Sequence, residues 1–90
     1  MLKLIDFYAD WCAPCRMMDP IFDAVMPDYK DKVELERINV DENPQKAQEF
    51  GVMSIPTMVL IQDDKEIDRR IGLLQEPMLR QWLDSHVSDN

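Results

Sequence analysis

An apolar run, Leu2-Lys3-Leu4-Ile5-Asp6-Phe7-Tyr8, is followed four residues later by Cys12-Ala13-Pro14-Cys15, and that pair opens a helical pattern. The run is rich in branched and aromatic residues and reads as a buried strand at the centre of a sheet. Past the cysteines, Met17, Met18, Ile21, Phe22, Val25, Met26 and Tyr29 recur as one broad apolar stripe. Pro14 suits a first helical turn, where its missing N–H has no partner anyway. Pro20 should kink the helix, and Pro27 should kink it again or end it near Met26.

The pattern continues with a second strand over 33–40, alternating at its start. Asn43 then reads as an N-cap before Pro44, with a short helix over 44–50 that stops at Gly51. Residues 57–61 read as a third strand and 66–71 as a fourth, joined by Asp63-Asp64 as a hairpin. Glu76-Pro77 opens a last helix with apolar positions Met78, Leu79, Trp82, Leu83 and Val87. The expected fold is α/β, a four-stranded mixed sheet flanked by three helices. The first two helices are read as crossovers between parallel strands, and the chain ends in a hairpin and a helix. At 90 residues there is room for one domain, 1–90, and only Ser88-Asp89-Asn90 reads as a frayed end.

Charge narrows the partners. Eighteen acidic against ten basic residues give a net charge of −8. Such a chain is repelled by nucleic-acid phosphates and by anionic membrane surfaces, so neither is expected as a partner. No apolar run approaches a membrane span, and the opening residues are too few for a signal-peptide core, which points to the cytoplasm. The only cysteines are Cys12 and Cys15. Two cysteines do not staple a secreted fold, so the pair is available for chemistry.

At a helix start, residues i and i+3 share one face and lie close enough for a disulfide. Free N–H groups and the positive end of the helix dipole favour a thiolate there, and the thiolate is the nucleophile of disulfide exchange. Cys12, at the very end and facing solvent, should attack; Cys15, one turn inside, should resolve the mixed disulfide. Three blander readings compete. The pair can be read as an inert structural disulfide, although so short a loop removes little unfolded-chain entropy. It can be half of a metal site, but a tetrahedral zinc needs four ligands and only His86 offers another, so no metal is expected. Or the cysteines are buried bystanders. Asp6, a carboxylate inside an apolar strand, should have a raised pKa and act as acid or base near neutrality. His86 itself reads as a solvated residue complementing the last helix turn.

The segment from Asp6 to Met17, with Asp10-Trp11-Cys12-Ala13-Pro14-Cys15 at its heart, resembles the active-site segment of thioredoxins. Pro20, Asn39-Val40-Asp41-Glu42-Asn43-Pro44, Ile55-Pro56-Thr57 and Gly72 follow in the family's order, so the resemblance covers nearly the whole chain. It implies a redox-active Cys12–Cys15 disulfide, with Cys12 attacking, Cys15 resolving and Asp6 shuttling protons to and from Cys15. It implies a cis Ile55–Pro56 peptide whose loop pairs with a substrate peptide as an added strand. Trp11, Ile55, Pro56, Gly72 and Leu73 would form the docking surface, with Ala13, Pro14 and Arg37 in support.

The resemblance has departures. The chain begins at what would be the family's second strand. Ala13 stands between the cysteines in place of the usual glycine, and the intervening pair tunes the redox potential. Ser54 replaces a glycine, Tyr8 a tryptophan, and Arg37 a lysine near the buried carboxylate. Arginine keeps its proton, so Arg37 should oppose any rise in the Asp6 pKa. The expected function is a cytosolic thiol–disulfide oxidoreductase that reduces protein disulfides, needs no bound cofactor and takes electrons from a reductase. The alternatives are an oxidant or isomerase on the same fold, or a redox-inert peptide-binding adaptor. With its 33–40 strand at a sheet edge, the chain is expected to be a monomer with an apolar patch beside the 44–50 helix, or a weak dimer through that patch.

Overall fold

The computed structural model describes residues 1–87, so the expectation of a frayed 88–90 lies outside the described residues. Leu2–Tyr8 forms β1, an inner strand of a four-stranded sheet ordered β2-β1-β3-β4. The other strands are β2 (Val33–Asn39), β3 (Thr57–Gln62) and β4 (Lys65–Ile71). Three α-helices flank them: α1 (Ala13–Val25), α2 (Pro44–Glu49) and α3 (Glu76–Val87). Helix α1 runs through Pro20 and gives way at Met26–Tyr29 to a 3-10 turn containing Pro27.

One expectation of topology fails. Only β1 and β2 are parallel; β3 runs antiparallel to β1, in register Ile5 with Val59, and β4 runs antiparallel to β3. Thus α1 is a crossover between parallel strands, whereas α2 is a six-residue helix on a connection that reverses the chain. Apolar periodicity locates a strand but carries no information about its direction, so it does not distinguish a crossover from a connection that reverses the chain.

The alternation of β1 sends its side chains to two cores. Leu2 and Leu4, with Met58 and Leu60 of β3, pack against Met18, Phe22 and Val25 of α1 and Leu79, Trp82, Leu83 and Val87 of α3. On the opposite face Ile5, Phe7, Ile38 and Val59 meet Ala47, with Phe50, Val52 and Ile55 packed around them. The rings of Phe7 and Phe50 lie 5.4 Å apart, so the middle of that face is covered by the residues around α2. Strand β2 is an edge, as expected, and it carries Glu34, Glu36 and Arg37.

Local chemistry explains the joints. After α2, Gly51 takes φ +63, its N–H reaches Gln48 O, and the Val52 N–H reaches Ala47 O, the two bonds of a Schellman stop. Asp63 and Asp64 both have positive φ, the two-residue turn that matches the twist of a hairpin. Asn43 is the N-cap residue of α2 but its side chain caps nothing; it donates instead to Asn39 O at 3.1 Å. The Asn39 side chain takes the loop donors, accepting from the N–H groups of Asp41 and Glu42.

Two readings of α3 are corrected. Met78 is exposed despite its place in the apolar pattern. His86 is packed rather than solvated: its Nε2 lies 2.9 Å from Asp68 Oδ2, which also accepts from Trp82 Nε1 at 2.8 Å. Burial alone would raise the Asp68 pKa, but the bonds from Trp82, His86 and the Arg69 N–H, with the Arg70 charge, outweigh it and bring it down to about 2. Leu83 has no exposed surface. Leu83→Ala is therefore expected to lower stability by about 2–5 kcal/mol, and Met78→Ala to change it by less than about 0.5 kcal/mol, both read from urea unfolding.

Candidate active site

The loop after β1 delivers Cys12 to the N-cap of α1. Its sulfur takes the role a serine oxygen plays at most helix starts: the Cys15 N–H points at Cys12 Sγ at 3.2 Å. Cys12 and Cys15 form a disulfide, with Cα atoms 5.2 Å apart. Once it is reduced, that N–H and the helix dipole face the Cys12 sulfur and favour its thiolate.

Cys12 is less open than expected. Only 5 % of its surface is exposed, against 1 % for Cys15, because Ala9 and Ile55 pack around it. The two cysteines differ instead in what they open onto. Cys12 lines an apolar groove of about 500 Å³ together with Trp11, Ala13, Pro14, Val40, Val52, Met53 and Ile55. Cys15 lines a separate recess with Tyr8, Asp19 and Arg37.

The Ile55–Pro56 peptide is cis, and Cys12 Sγ sits 3.9 Å from Ile55 O. Pro56 is buried behind Ile55, and its carbonyl accepts from the Gly72 N–H at 2.8 Å. At Gly72 φ is +96, a conformation that favours glycine. Trp11 is 68 % exposed and its indole N–H is held by Asp41 Oδ2 at 2.9 Å, so it forms groove wall rather than core. Of the residues read as a docking surface, the groove thus gathers Trp11 and Ile55. Pro56 and Gly72 do not line it, and Leu73 packs half-buried on the core between α1 and α3. Sequence reasoning missed Val40, Val52 and Met53; Met53 is 97 % exposed, and a lone exposed methionine gives no sequence signal.

Asp6 has no exposed surface. It pairs in register with Arg37 across β1 and β2, and Arg37 Nε donates to its Oδ2 at 3.0 Å. Burial pushes the carboxyl pKa up and Arg37 pulls it back; burial wins, leaving it raised to about 6. The second oxygen, Oδ1, is buried without a hydrogen-bond partner. Arg37 does oppose the rise, as expected, without cancelling it.

The thioredoxin family model matches residues 1–85. The chain is 42 % identical over 86 residues to thioredoxin 2 of Chlorobaculum tepidum, an alignment spanning 96 % of this chain and 79 % of that one. It is 40 % identical over 84 residues to the thioredoxin of Rickettsia typhi, covering 93 % of this chain and 80 % of that one. A mutant thioredoxin from Halobacterium salinarum superposes with a TM-score of 0.88 at 35 % identity, covering 96 % of this chain and 74 % of that one.

Because the native state holds the Asp6 proton more tightly than the unfolded chain, stability should fall as pH rises from about 4 to about 6. Asp6→Asn removes that loss. It is expected to gain up to about 3 kcal/mol over the parent at pH 8, and to gain nothing at pH 4. Urea unfolding at both pH values checks this, and equal destabilisation at both would refute it. A sulfur-capped cysteine pair at a helix start, beside a cis-proline loop, together with these matches, places the chain in the thioredoxin family of thiol–disulfide oxidoreductases.

Proposed function

We propose that the chain works as a reductant of protein disulfides in the cytoplasm, recharged by an electron-donating reductase. The observation that carries this reading is the separation of the two sulfurs: Cys12 faces the apolar groove, and Cys15 faces the recess beside Arg37. A substrate segment lies in the groove in extended form and bonds to the backbone beside Pro56, with Trp11 and Ile55 against its side chains. The Cys12 thiolate attacks the substrate disulfide. A mixed disulfide forms on Cys12, and one substrate sulfur leaves. Asp6 then takes the proton of the Cys15 thiol as its sulfur attacks Cys12 Sγ. This closes the Cys12–Cys15 disulfide, releases the second substrate sulfur and delivers two electrons to the substrate.

Cys12→Ser should abolish turnover, whereas Cys15→Ser should accumulate the mixed disulfide on Cys12, seen as an intact-mass adduct. Adducts forming equally fast on Cys15 in the Cys12→Ser variant would reverse the assignment. Asp6→Asn should slow the resolving step. The potential of the pair against a glutathione buffer separates reductant from oxidant or isomerase: a value below that of the buffer supports the reductant.

The chain is proposed to act as a monomer. Glu34 and Glu36 blunt the β2 edge, and the −8 charge resists self-association. Sedimentation at low and high salt is expected to give one monomeric species. A dimer that grows as salt screens the charge would instead point to pairing through the apolar groove.

A further inference from the structure

In a regular strand, residues three apart point to opposite faces of the sheet. Glu66 and Arg69 of β4 do not. A bulge interrupts the register: Leu60 of β3 pairs with Asp68 and Ile61 with Glu66, so Ile67 is passed over. Glu66, opposite Ile61, and Arg69, opposite Val59, therefore share the face that the residues around α2 cover. There Glu66 takes the guanidinium in a two-pronged pair, with Arg69 Nε 2.6 Å from Oε2 and Nη2 2.8 Å from Oε1. Nη2 has a second hydrogen, and it is donated to Phe50 O at 2.8 Å.

Phe50 is the C-cap of α2, and the chain beyond it supplies Val52, Met53, Ser54 and Ile55 to the apolar groove. At the far end of that segment, Pro56 O accepts from the Gly72 N–H at 2.8 Å. The segment is thus held at both ends by β4 and its end, once through a side chain and once through the backbone. We propose that Arg69, oriented by Glu66, is a positioning residue for substrate docking: its bond to Phe50 O fixes where residues 51–55 stand and so presets one wall of the groove. A preset wall spares a substrate the cost of ordering that wall on binding. Neither Glu66 nor Phe50 lines the groove or the recess of Cys15, so the chemistry at the sulfurs should not depend on Arg69.

This inference rests on the reading of the groove as the docking site, so the test includes Trp11→Ala, which strikes the groove directly. Insulin serves as the disulfide-bonded probe protein, with dithiothreitol as the electron donor, and dithiodipyridine as a disulfide too small to need the groove. Arg69→Met is expected to raise KM for insulin about three- to tenfold, with kcat and the rate on dithiodipyridine unchanged. Hydrogen exchange at the Val52 amide, which donates to Ala47 O, should quicken by a similar factor, while exchange at the Leu4 amide in the inner strand stays as it was. Glu66→Gln leaves Arg69 in place but loosens its hold; it should shift KM in the same direction by less, and it carries the test if Arg69→Met does not fold. An insulin KM that Trp11→Ala raises and Arg69→Met leaves alone overturns the positioning role and keeps the groove. A KM that neither variant moves overturns the groove reading, and this proposal with it. A rate on dithiodipyridine that falls in step with insulin turnover also overturns the proposal, because the loss would then lie at the sulfurs.

Discussion

Asp6 stands in an inner strand with no exposed surface, in register with Arg37 one strand over, and the 3.0 Å bond between them decides how the rest of the site is arranged. Removing a carboxylate from water is expensive, and one charged donor offsets part of that expense. The same guanidinium packs on Phe22 of α1 and reaches Asp19 one turn after Cys15, so the redox helix is tied to the sheet through a cation as well as through its apolar stripe. At Asp6 burial outweighs ion pairing, and the surplus raises its pKa to about 6.

The cysteine pair depends on the same economy of local parts. A helix start needs an acceptor for its free N–H groups, and here the acceptor is the Cys12 sulfur. The group that caps the helix therefore belongs to the redox-active pair. When Cys12 gains negative charge, the donor is already in place. The disulfide lies between an apolar groove, lined by Cys12, and a charged recess, lined by Cys15.

Much of this was legible in the sequence because it is local. The cysteine pair, its helix, the positive-φ hairpin turn and the Gly51 stop are each written in a few adjacent residues. The depth of Asp6 was legible too, from its place in an apolar run. What the sequence concealed was relational. The direction of β3 depends on how α2 turns the chain, and periodicity has no sign. Asn43 had the right type and spacing for a cap, yet Asn39 took the loop donors. Met78 fell on the apolar register of α3 but lies where the helix faces water. The contacts of Asp19 with Arg37 and of His86 with Asp68 join residues 18 apart in sequence, and no local pattern announces such pairs.

The two tryptophans divide the molecule between them. Trp82 is 4 % exposed, with its N–H on Asp68 and the Arg70 guanidinium 5.1 Å from its ring, at the junction of α3 with the sheet. Trp11 is largely in water, one residue from the disulfide, and tethered only to Asp41. Their indoles therefore sit in environments of opposite polarity. In fluorescence the protein carries two separate internal gauges, a blue-shifted one that follows the integrity of the core and a red-shifted one that follows events in the groove.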